Sequence, residues 1–317
     1  MPRTGKLVHS RRHPSEVGFV RDLYRYPGAI GLEEQWLEHR VFQRIDDAAA
    51  KVLTRMLGPK PITLEPAEGS AWIRFMLSLM FRTPTNLLFA KAAAGRIEDR
   101  LMDEICGHYD ELRGPNDPAN YAEFVAMQHP HAKERSALEM LPGMMDHERI
   151  GQYMINMRWH VMDLDFSCPA LLLSDDPLAR TNGIGVPTGH LAMPISPRRL
   201  LVLSNSAETD ATLRGIGVRD LARAMNRWTV ESARRFVAAT DRSQERFIAN
   251  RFGQRPKDGI MANMDFIDAM YADDDAIRRG RRERRMSARN LHLHSHAVDT
   301  HGLERTEGGT RLTGWGS

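Results

Sequence analysis

Residues 158–177 read RWHVMDLDFSCPALLLSDDP, and here the chain changes character. The segment WHVMDL at 159–164 has strand character. Pro169 precedes ALLL at 170–173, a continuous apolar run that reads as a buried strand. Asp175-Asp176-Pro177 ends it, because Asp forms local side-chain-to-backbone turns and Pro cannot continue a central strand. Two more short strands are predicted at 190–195 and 200–204, joined through Ser196-Pro197.

Upstream of this stretch the period is helical. Leu32, Trp36, Val41, Ile45, Ala49, Val52 and Met56 recur at spacings that place them on one broad helical face, and Gly58-Pro59 stops the helix. A second helix is predicted from about residue 66 to 82, with Trp72, Phe75, Met76, Leu79 and Met80 inward. Thr83-Pro84 reads as an N-cap followed by Pro at the first helical position, and a third helix continues to Leu112. Asp117-Pro118 gives the same start signal for a helix through Met127, and a helical stretch over 132–157 carries a break or kink at Pro142-Gly143. Downstream, helices are predicted at 218–240 and 243–252. Helices, then clustered strands, then helices indicate an α+β fold rather than an alternating parallel sheet. Its N-terminal half is mainly helical, its sheet small and mostly antiparallel, and C-terminal helices pack on the sheet. The expected organisation is an irregular segment at 1–31 and one α+β domain at 32–253, with helices at 32–157, strands at 158–205 and helices at 216–252. An Arg/His-rich tail at 254–317, expected to be disordered, follows.

The 317 residues carry 44 Lys+Arg and 41 Asp+Glu, a net charge of +3. Residues 278–289, RRGRRERRMSAR, alone contribute +6, so the rest of the chain is at −3. The pI near 9.0 is thus set by one segment, which argues against a domain that is basic over its whole surface. Cys106 and Cys168 are the only cysteines, too few for a disulfide framework or a paired CxxC zinc site. The first residues contain no apolar run of the secretory kind, and the most apolar stretch, 72–90, is interrupted by Arg74, Arg82 and Pro84. The expectation is a cytoplasmic protein with no membrane partner. No P-loop, nucleophile elbow or HExxH is present, and the glycines of 181–185 do not complete GxGxxG.

Several segments together resemble the domain-of-unknown-function 4238 family, found mainly in bacteria. They are WLEHRVFQRIDDAAAKVL at 36–53, MFRTP at 80–84, RWHVMDL, LLLSDDPLA at 171–179, LAMPISPRRLLVLSN at 191–205 and MNRWTVESARRFVAATD at 225–241. The Ser-Asp-x-Pro turn, the following Pro-Ile-Ser strand and the Asn-bearing helix are the most specific of these. The resemblance implies a fold and recurrent positions, among them Asp175 at the family's Asp, but no reaction. This chain departs from the family pattern twice. The family's opening His-Tyr-Val-Pro motif is not matched by His13-Pro14, which implies a misassigned start or a copy that lacks the element and is inactive if the motif carries activity. Asp46 stands where the family more often has Glu after Ile.

Candidate chemistry centres on Ser174, Asp175 and Asp176, at a strand end where a rigid element aims accessible side chains. Two adjacent carboxylates suit Mg²⁺ or Mn²⁺ binding or general-base work, and an Asx-turn explains the same residues without any chemistry. Arg82 is placed to reach an anion or to pair with Asp175, a structural salt bridge being the plainer role. Asn226, Arg234 and Arg235 fall on one predicted helix, where Asn226 and Arg234, eight apart, share a face that would complete a polar pocket with Asp175. Glu34, Glu38 and Asp46 form an acidic stripe that a solvated helix face explains adequately. His292, His294 and His296 form HxHxH, a weak metal-binding pattern in a flexible tail. Arg278, Arg279, Arg281, Arg282, Arg284 and Arg285 lack interleaved aromatics, so they suit sequence-independent phosphate contact rather than base stacking. Two functional classes follow besides an uncharacterised protein with a polar pocket. One is a nuclease-like or other phosphate-directed, metal-dependent enzyme. The other is a non-catalytic module contacting nucleic acid through the arginine tail.

Overall fold

The structure is a computed structural model that describes residues 8–13, 16–18, 20, 22–59, 63–84, 86–88, 90–92, 95, 106, 108–181, 185–255 and 313–314. The helical half opens with a 3₁₀ turn at Gly31–Gln35 and a π-helical turn at Glu38–Phe42, which runs directly into α1, Gln43–Met56. Then come α2 (Pro66–Phe81), the short α3 (Tyr109–Leu112), α4 (Tyr121–Gln128), α5 (Ala132–Met145) and α6 (Glu148–Ile155). Strands β1 (Arg158–Asp163), β2 (Leu173–Ser174), β3 (Ala179–Thr181), β4 (His190–Ser196) and β5 (Arg199–Ser204) follow. Helices α7 (Ala207–Gly215) and α8 (Val218–Ser232), strand β6 (Val237–Ala238) and helix α9 (Glu245–Arg251) complete the order, with a last two-residue strand, β7, at Thr313–Gly314.

The main sheet has the order β3-β4-β5-β1-β7, antiparallel except where β7 runs parallel to β1, and β2 pairs separately with β6. Alternation along the strands gives the sheet two apolar faces. Trp159, Val161, Leu191, Met193, Leu201 and Leu203 join the core of the helical half, together with Trp72, Met76 and Phe81 of α2. Met162, Leu200 and Val202 face the other way and pack on Ala222 and Met225 of α8. The sheet therefore lies between two helical layers, and the α+β architecture read from the sequence stands. Helix α2 earns its place by burying almost every face, and it starts where Glu65 and Glu68 form a reciprocal capping box ahead of Pro66. On the α8 side, Asp210 of α7 is buried against the sheet. Its Oδ1 lies 2.5 Å from His160 Nε2, which clips α7 to β1, and its Oδ2 lies 2.6 Å from Arg214 Nη2 one turn on in the same helix.

Local expectations change in several places. Helix α5 is not broken at Pro142 but continues to Met145, with Leu138, Leu141, Met144 and Met145 on both sides of the proline buried in one core, and the helical stretch expected over 132–157 divides instead at Asp146-His147. The Asp117-Pro118 signal makes a turn instead, in which Gly114 N donates to Asp117 Oδ2 at 2.8 Å, and α4 starts at the Asn120 cap. Residues 170–172 are buried in part without joining a sheet, and only Leu173–Ser174 pairs, with β6. Helix α8 stops at Ser232, so Arg234 and Arg235 lie beyond it and do not share its face with Asn226. Helix α7 was not read from the sequence. The arginine run and His292, His294 and His296 lie outside the described residues.

Candidate functional site

Leu171 N donates to Pro197 O, but Leu172 N and Ala170 O have no strand beside them among the described residues. Asn226, 1% exposed on α8, supplies both partners. Its Oδ1 accepts from Leu172 N at 2.9 Å and its Nδ2 donates to Ala170 O at 2.8 Å. Nδ2 also donates to Gln244 Oε1 at 2.9 Å, and Gln244 Nε2 donates to Ala170 O at 2.8 Å. The side-chain amide acts as a substitute peptide for a buried segment that lacks a neighbouring strand. Asn226 is thereby committed to the backbone and lines no part of the cavity described below.

Asp175 has a comparable task. Its Oδ1 accepts from the backbone amides of Arg234, Arg235 and Phe236 at 3.0, 3.1 and 3.4 Å, which fastens the turn after α8 to the end of β2. Ser174 Oγ accepts from Asp176 N at 3.3 Å and donates to Asp176 O at 3.1 Å, a local turn. Asp176 sits 3.6 Å from Arg180. Burial raises its carboxyl above the usual carboxylate range, with Arg180 opposing and Asp175 reinforcing the shift. The two adjacent carboxylates thus serve different neighbours. Arg234 Nη1 donates to Arg255 O at 3.3 Å.

Arg82 caps the end of α2 and pairs with Asp46 instead of Asp175. Its Nη1 lies 2.9 Å from each Asp46 oxygen, and its guanidinium stands over the rings of Phe42 and Phe75 at 5.9 and 5.7 Å. The Tyr24 hydroxyl donates to Arg82 O, and burial raises that phenol well above its ordinary value. Thr83 caps the next turn, accepting from Asn86 N at 3.2 Å.

These elements enclose a cavity of about 540 Å³. Helical-half residues Tyr24, Glu38, Asp46, Trp72, Phe75 and Arg82 line one part of it, and Ser174, Asp175, Arg235 and Phe236 line the other. The structure brings Arg82, Ser174 and Asp175 together around one space, whereas Asp176, Asn226 and Arg234 do not line it. Two features were not foreseen. Glu38, which a solvated stripe explains in the sequence, stands on the wall as the first residue of the π-helical turn, a distortion often found at functional sites. Residue 38 as a whole is exposed at the rim, but its carboxyl is partly withdrawn and makes no hydrogen bond or ion pair among the described residues. Partial burial raises that carboxyl above the usual range, Arg82 opposes the shift and Asp46 adds to it. The Trp72 indole Nε1 is also buried with no acceptor among the described residues. The eight-residue spacing of Glu38 and Asp46 was the available signal, but only the fold shows that Arg82 comes to meet it.

For Glu38 and Asp176 the folded-state pKa lies above the unfolded one, so the native state holds the proton to higher pH. The stability each contributes is complete below the unfolded pKa and is lost as pH rises through the folded one. The urea midpoint of wild type relative to that of Glu38→Gln is therefore expected to drop as pH rises above about 4.3. Parallel curves for the two proteins would contradict this.

Among the described residues no group of three or more His, Cys, Asp and Glu side chains is placed to hold a metal, and no helix is long and apolar enough to cross a membrane. The family model described as protein of unknown function (DUF4238) matches residues 2–243. No curated protein and no solved structure matches the chain.

Proposed function

The chain belongs to the DUF4238 family, and we propose that its cavity between α1, α2 and the end of β2 binds a small organic ligand with which Glu38 exchanges a proton. The observation that carries this reading is convergence. Segments remote in sequence place Glu38, Arg82 and Asp175 around one space of about 540 Å³ with aromatic walls. The Arg82–Asp46 pair supplies a fixed dipole there, and Glu38 supplies a carboxyl that partial burial holds above the usual range. A cytoplasmic location in a bacterium fits this reading and belongs to the same proposal.

The test is ligand-observed NMR with a set of aromatic fragments on wild type and on Leu173→Trp. Leu173 is 44% exposed and lines the cavity, so the larger ring fills the space without displacing the core. Binding by wild type and its loss in a Leu173→Trp protein of unchanged circular dichroism are expected. Equal binding by both would place the ligand elsewhere.

A phosphate-directed, Mg²⁺- or Mn²⁺-dependent role for Asp175 and Asp176 has less support, because Asp175 Oδ1 already accepts from three amides and Asp176 leans on Arg180. Contact with nucleic acid through residues 278–289 is a separate proposal, motivated by seven arginines in that run. It predicts RNA or DNA binding that weakens steeply with salt and disappears when residues 276–317 are removed. Unchanged affinity after truncation would refute it.

A further inference from the structure

The cavity just described has a neighbour of different chemistry. A second space, of about 520 Å³, shares Val20, Leu23, Tyr24, Glu38 and Asp46 with the first. Beyond these shared residues the two diverge. Phe42, Trp72, Phe75 and Phe236 line the first. Asp22, Arg25, Gln35, His39 and Gln43 line the second. Asp22 adopts φ 54°, the left-handed region that a short polar side chain tolerates but does not prefer. Such conformations persist where surrounding structure imposes them, and they cluster at ligand sites.

We infer that the two spaces together take one two-part ligand, a flat aromatic group joined to an uncharged polyhydroxylated group, as in a nucleoside or an aryl glycoside. This rests on the reading of the first cavity as a ligand site. Aromatic walls receive a ring by offset or edge contacts. Primary amides offer two donors and an acceptor each, and carboxylates accept from hydroxyls, which is the complement that vicinal hydroxyls require. Glu38 and Asp46, shared by both spaces, stand where the two parts of such a ligand join.

The charges select against a phosphorylated polyol. Arg82 is paired with Asp46 and Arg25 with Glu34. In the polar space the Asp46 and Arg82 charges offset each other and Arg25 is engaged by Glu34, which leaves Asp22, Glu38 and His39 to face a phosphate, and the two acidic side chains oppose it.

Calorimetry with five probes tests this: adenosine, adenine, adenosine monophosphate, 4-nitrophenyl glucoside and 4-nitrophenol. At least one of the two sugar-bearing neutral probes is expected to bind about tenfold tighter than its ring alone. Which pair shows the gain distinguishes a nucleoside from an aryl glycoside. The gain is expected to vanish in Gln43→Ala, an exposed position whose loss leaves the core intact, while affinity for the ring persists. Adenosine monophosphate is expected to bind more weakly than adenosine. Equal affinity for ring and ring-plus-sugar, or a gain that survives in Gln43→Ala, would overturn the inference and leave the aromatic cavity standing as a ligand site. Failure of every probe, rings included, would overturn it together with the reading on which it rests.

Discussion

Asn226→Ala is expected to lose about 3–5 kcal/mol of stability, seen as a lower urea midpoint at unchanged slope. The side chain is 1% exposed and its amide supplies the partners of Leu172 N, Ala170 O and Gln244 Oε1. Truncation removes those bonds and leaves a backbone amide without an acceptor in a buried segment that has no adjacent strand. Gln244 Nε2 still reaches Ala170 O, so the carbonyl keeps one donor and the amide is the greater loss. Asn226→Asp separates the contributions. It retains an acceptor for Leu172 N but replaces the donor to Ala170 O with a buried charge, and it is expected to be no better tolerated than alanine. A loss below about 1 kcal/mol for Asn226→Ala would mean that the 170–172 segment finds its hydrogen bonds elsewhere.

Asp175→Ala is expected to cost about 2–3 kcal/mol, a figure already reduced for the partial exposure of the carboxylate. Three amides of the 234–236 turn lose their common acceptor. The consequence for the site is larger than the stability figure suggests. Arg235 and Phe236 of that turn form part of the cavity wall, and Phe236 packs against the Gly18 backbone, where a Cβ would come within 3.7 Å of its ring. Hydrogen exchange at residues 234–236 is expected to accelerate in Asp175→Ala and to change less in Asp175→Asn, which keeps one acceptor oxygen. Unaltered exchange in both variants would remove Asp175 from its positioning role.

The switch from helices to strands at residue 158 was legible because it is a local property. Period 3.6 gives way to strand character within a few residues, and Trp159, Val161, Leu201 and Leu203 then fall on one face. The apolar run ALLL was misleading for the same reason. An apolar run reads as a strand, but whether it pairs depends on what lies beside it, here an amide 56 residues away on α8. Arg82 shows the same limit. The sequence marked it as a residue that pairs with a carboxylate, and the fold chose Asp46, 36 residues upstream, over Asp175. The place of Glu38 on the cavity wall is the hardest to see in the sequence. A carboxylate on a regular helix face and one in a π-helical turn look alike in sequence, since no residue pattern in 38–42 announces the wider turn. The sequence predicts a helix running through Arg234 and Arg235, but it ends at Ser232, because nothing local in ESARRF signals that Asp175 will take their amides.

The central claim is that the helical half and the β2 end enclose one ligand site. A crystal structure of the protein soaked with an aromatic fragment that binds wild type tests it most directly. The account predicts density for the fragment between the Trp72–Phe75 wall and Phe236, within reach of Glu38 and Arg82. A fragment bound on any other surface, with that space unchanged, would contradict it.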